Sequence, residues 1–130
     1  MNVVSIRCDR QQLQVIQEYF FPYIKQLKNT RIQNIVHLPV HSPEYLAAIA
    51  VNCIVDECIL HINRKVINTT KNTIKLQLSD AQTVVLYKTL LEIPVPTHQF
   101  YLRQTLNFFI ELLDRELIRC KIYHSSQMTA

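Results

Sequence analysis

The sequence predicts a mainly α, compact four-helix bundle-like domain, and three observations predict it. No glycine occurs in the 130 residues, where average usage of about 7% would supply about nine, so the backbone avoids conformations that need positive φ. Apolar side chains recur at three- and four-residue steps through four segments. Those segments open at capping residues and are separated by prolines and polar loops. Short accessory strands are expected at 3–6, 32–36 and 73–78, and their pairing into a small sheet, an α+β arrangement, is the alternative.

The first helix opens at Asp9, with Gln12 at the capping-box position, and runs to about Lys28 on Leu13, Ile16, Phe20, Ile24 and Leu27. Pro22 lacks the N–H that would bond the Glu18 carbonyl, which predicts a kink or two shorter helices meeting near Phe21. Ser42 and Pro43 form the strongest start signal, an N-cap followed by proline at the first helical position. The second helix, 43–63, is apolar around most of its circumference through Val55, the pattern of a buried central helix. Ser79 and Asp80 start a third helix that ends before Pro94 and offers Val84, Leu86, Leu90 and Leu91 for burial. Thr97 caps the fourth, whose stripe is Leu102, Leu106, Phe109, Leu113 and Leu117. The strand expectations rest on alternation in 73–78 and on β-branched residues in 3–6 and 32–36.

At 15.3 kDa the chain is one domain's worth of sequence. Residues 1–122 are expected to form a single helical domain and 123–130 a frayed C-terminal tail, with no internal repeat. The first twenty residues carry Arg7, Asp9, Arg10 and Glu18 and lack the apolar core of a signal peptide. The most apolar stretch, 45–55, is shorter than the roughly 20 residues a bilayer requires, so no membrane association is expected. Cys8, Cys53, Cys58 and Cys120 form no C-x-x-C pair, which suits free thiols in a reducing cytoplasm.

Missing glycine also removes function classes. A phosphate-binding loop, a dinucleotide turn and a nucleophile elbow each need a residue without Cβ, so no cofactor and no catalytic residue are expected. Serines 42 and 79 are explained as caps, and no base stands beside a candidate nucleophile. Glu111, Asp114 and Glu116 alternate with Arg115 and Arg119 as a solvated face. His37, His41, His98 and His124 fall in loops or the tail and are read as solvated.

Two arrangements could carry chemistry. Acidic residues are missing between Glu57 and Asp80, a gap that holds Arg64, Lys65, Lys71 and Lys75. If the helices alternate in direction, these join Arg7, Arg10, Arg115, Arg119 and Lys121 at one pole, a possible nucleic-acid surface. The competing explanation is helix-dipole matching, which places cations at helix C-termini and accounts for most of the pattern. Cys53, Glu57 and His61 stand at i, i+4 and i+8 and offer sulfur, oxygen and nitrogen to one metal ion. Three such groups on a helix are more often satisfied individually.

The expectation that these residues favour is a non-catalytic, cytoplasmic protein-interaction or regulatory module. Phe20-Phe21 and Phe108-Phe109 each put one aromatic off the core stripe, so Phe21, Phe108 and Tyr101 are the expected contact surface. Homodimerisation through the first and fourth helices is the expected state, with a protein partner as the other occupant of that surface.

Overall fold

Alternating apolar and polar side chains build two strands, β1 (Val3–Asp9) and β2 (Thr73–Ser79), in the computed structural model, which describes residues 3–95 and 98–120. They pair antiparallel, Val3 against Ser79 through Asp9 against Thr73. Val4, Ile6 and Cys8 lie opposite Leu78, Leu76 and Ile74 on the inner face, and none exceeds 4% exposure. Each such aliphatic side chain contributes about 1.5–3 kcal/mol relative to an exposed position. The domain is mainly α around this sheet, with 72% of the described residues helical.

Each strand passes directly into a capped helix. The Asp9 N–H donates to Gln12 Oε1 (3.0 Å) and starts α1 (Arg10–Val15). Ser79 makes the same box with Gln82, donating its N–H to Oε1 (3.0 Å) and accepting from the Gln82 N–H (3.1 Å), and starts α4 (Asp80–Leu91). A π turn (Ile16–Phe20) joins α1 to α2 (Phe21–Ile35) and precedes Pro22. There the Phe21 N–H donates to the Ile16 carbonyl, and the widened turn gives the proline ring room that an α-turn would deny it. The rod therefore continues to Ile35, past the expected end near Lys28.

Ser42 Oγ accepts from the Tyr45 N–H (3.2 Å) and opens α3 (Pro43–Asn68). This helix exceeds the expected 43–63 because Arg64–Ile67 continue it, and Arg10 Nη1 donates to the carbonyl of its C-cap, Thr69 (2.9 Å). α5 (Phe100–Arg119) completes the domain and buries Leu106, Phe109, Leu113 and Leu117. The expected cap Thr97, Lys121 and the tail lie outside the described residues.

Two further expectations are corrected. Residues 32–36 form no strand, because 32–35 close α2 and Ile35 is buried there as a helical residue. Packing against α3 overrides their β-branched preference. In α4, Leu91 is exposed while Thr83 and Thr89 are buried, each donating its hydroxyl to the carbonyl four residues back (2.7 Å). Strand, helix and helix also occur twice in order along the chain, a recurrence of element order without recurrence of sequence. Val3 to Asp9 map onto Thr73 to Ser79 by a shift of 70 positions. The same shift carries Gln12 to Gln82, Ile16 to Leu86 and Phe20 to Leu90, so the likeness lies in capping and burial rather than in residue identity.

Burial pushes the thiols of Cys8 and Cys58 up to about 12, with Asp9 and Glu57 adding a smaller charge effect. Both donate to carbonyls, Cys8 to Ile74 and Cys58 to Gln82. In native protein at neutral pH, a maleimide is expected to label exposed Cys53 within minutes and to reach Cys8 and Cys58 only after denaturant is added. Mass spectrometry of the labelled peptides checks it, and rapid native labelling of Cys8 or Cys58 would contradict the packing.

Candidate functional site

α3 packs on one side only. Ala48, Asn52, Val55, Cys58, Ile62 and Val66 face the core, while Leu46 (55% exposed), Leu60 (49%) and Ile67 (76%) line the opposite side. The expectation of a buried central helix therefore holds for half of its circumference. The other helices cover its inner face and leave the outer one bare.

Polar contacts hold α3 in that orientation. Asn52 is buried, accepts from Arg31 Nη1 (2.6 Å) and donates Nδ2 to the Lys28 carbonyl (3.3 Å). Lys28 also pairs with Asp56, and Arg31 stands 4.0 Å from Glu92 beyond α4. On the other flank Gln82 Nε2 donates to Glu57 (3.2 Å), and Gln17 Nε2 of the π turn donates to Asn63 (2.6 Å). These bonds bind α3 to α2, α4 and the π turn and fix which stripe points outward.

By length and composition α3 is, among the described residues, the one helix able to cross a membrane. Its best 18-residue window has mean hydropathy 1.6 and is 28% buried within the domain. This corrects the judgement that the segment is too short, which rested on 45–55 alone. The buried Asn52 and the Lys28–Asp56 pair give the helix a partner within its own domain.

The metal-ligand trio does not converge. Residues four apart advance about 40° around a helix, so Cys53 and His61 are separated by about 80°. Cys53 is exposed on the outer stripe, Glu57 accepts from Gln82, and His61 turns toward β2, where its ring makes a backbone hydrogen bond with Gln77. No group of three His, Cys, Asp or Glu side chains among the described residues is placed to hold a metal.

The basic residues are partly gathered. Arg7 and Lys75 lie directly opposite each other on the solvent face of the sheet, and Lys71 stands in the loop leading to β2. Arg64 and Lys65 occupy the last turns of α3. Arg10 is taken up in capping α3, and Arg119 Nε donates to Glu116 (2.7 Å) in its own helix. Arg115 is exposed beside Phe108 and Glu111 on α5.

Of the expected contact residues, Phe21 is half-buried against the core, and Tyr101 and Phe108 are exposed on α5. Phe108 stands edge-on to buried Phe109, ring centroids 5.4 Å apart. Tyr19 on the π turn and Phe100 are exposed beside Tyr101 and were not anticipated. Tyr19 and Tyr101 share a cleft of about 460 Å³ with Gln11, Gln14, Gln17 and Glu18. A neighbouring cleft of about 420 Å³ adds His98, Phe100 and Leu102. Pro22 was the available signal for Tyr19, because the turn that accommodates the proline carries that tyrosine outward.

Burial and the nearby charges of Lys65 and Arg64 hold His61 below its ordinary value of 6.5, with the Gln77 hydrogen bond opposing them. Because the folded value is lowered, the unfolded chain takes up the proton first. The His61 contribution is then complete above 6.5 and is lost as pH falls through 6.5 toward the folded value. Urea midpoints are expected to drop more steeply from about pH 7.5 to about pH 5.5 in the native chain than in His61→Gln. Equal slopes would remove His61 as the cause. Asn52→Leu leaves the buried side of Arg31 without its acceptor and is expected to cost about 1–3 kcal/mol, read from the same unfolding curves. No protein-family model, curated protein or solved structure matches this chain.

Proposed function

We propose that this chain is a non-catalytic protein-interaction module that works in a self-associated state. The observation that carries this reading is the exposure of large apolar side chains in two groups, the outer stripe of α3 and the Tyr19, Phe100, Tyr101 and Phe108 surface. Apolar surface collected in patches is what monomers cover by association. The charge content supports the same reading, since only 18% of residues are charged and α3 carries no charge between Glu44 and Asp56. A free thiol exposed at Cys53 suits a reducing compartment, so the proposal includes a cytoplasmic setting.

Sedimentation velocity is expected to show a species of twice the 15.3 kDa chain mass at micromolar concentration, dissociating on dilution. A soluble monomer throughout that range would overturn the proposal.

A further inference from the structure

The outer stripe of α3 has the spacing of a helix–helix seam. Leu46, Cys53, Leu60 and Ile67 recur every seven residues, with Ala50, Glu57 and Arg64 at the intervening positions, and all seven are exposed. Steps of four and three repeated along one line are the a and d positions of a heptad. The 26-residue helix that carries them is about 39 Å long, at 1.5 Å per residue.

We infer that two copies of the chain pack α3 against α3 in antiparallel orientation, an inference that rests on the self-association reading and locates its interface. The charges within the seam select both the occupant and the direction. A parallel pair sets Glu57 against Glu57 and Arg64 against Arg64, removing like charges from water together. An antiparallel pair that layers Glu57 on Leu60 of the second copy puts each Arg64 one layer from Glu57 of the other chain, twice by symmetry. The same register opposes small Ala50 to large Ile67 and sets Cys53 beside Arg64. A lipid surface would offer the Glu57 carboxylate and the Arg64 guanidinium no counter-charge within the apolar stripe, whereas a second copy neutralises both. The flanks leave the seam clear, because Asp56 is held by Lys28 and Gln82 approaches Glu57 from the side of α4.

Sedimentation velocity and light scattering on the full chain and on Glu57→Arg, Arg64→Glu, the double variant and Leu60→Glu test this. Each single charge reversal is expected to raise the dimer Kd at least about tenfold, the double reversal to bring it back within about threefold, and Leu60→Glu to leave monomer. The three substituted positions are exposed, and Glu57→Arg forfeits a single exposed hydrogen bond from Gln82, so circular dichroism melts should stay near those of the native chain. A dimer indifferent to every variant overturns the inference while the self-association reading stands, with the α5 aromatics as its seat. Single reversals that weaken the dimer without rescue by the double variant overturn the antiparallel register. A native monomer overturns both readings. A monomer that co-sediments with phosphatidylcholine vesicles assigns the stripe to lipid and overturns the inference as well.

Discussion

The fold depends on the pairing of two short strands that lie about half the chain apart. Among the described residues neither has another strand to lean on, so the inward row of Val4, Ile6, Cys8, Ile74, Leu76 and Leu78 must be covered by helices for either to persist. That requirement explains the strand-to-helix junctions at Asp9 and Ser79. A capped helix leaving the end of each strand returns directly over the same apolar face. The bond from the Arg10 N–H to the Asn72 carbonyl (2.7 Å) ties the start of one unit to the approach of the other.

The second organising feature is the polar clamp between α2 and α3. An apolar helix placed against a core by hydrophobic contact alone can rotate about its axis at little cost, because the hydrophobic effect has no direction. Asn52 removes that freedom, since only one rotation satisfies both Arg31 and the Lys28 carbonyl. What faces outward is thus decided by a bond on the inside. The π turn acts similarly at the other surface: accommodating Pro22 sets where Tyr19 leaves the rod and how it meets Tyr101.

Local chemistry was legible in the sequence and coverage was not. Ser42-Pro43 and Ser79-Asp80 marked helix starts because a cap is satisfied by its own neighbours within three residues. Alternation in 73–78 and the β-branched run 3–6 marked strands for a related reason, although nothing in either segment named its partner. Ile32 to Val36 misled because a β-branched run is only a preference, which the contacts between α2 and α3 outweighed. The second helix misled in another way: its composition stated how much apolar surface existed, and only the fold could say which half would be covered. Cys53, Glu57 and His61 looked like one face because four-residue spacing approximates a straight line, and the drift over two steps is enough to separate them. Phe21 is half-buried against the core although it neighbours the fully buried Phe20, because Pro22 signals a break near Phe21 without saying how the π turn re-aims the residues beside it.

The duplicated arrangement of strand, helix and helix bears on the order of folding. Zipping β1 to β2 requires closure of the chain from Asp9 to Thr73, a loop whose entropy is lost before any cross-strand contact is made. The helical hairpin formed by α2 and α3 lies entirely within that loop and, once docked through Asn52, shortens the distance the strand ends must search. The helices are therefore expected to precede the sheet on the folding route, and the two halves to meet last across the ladder.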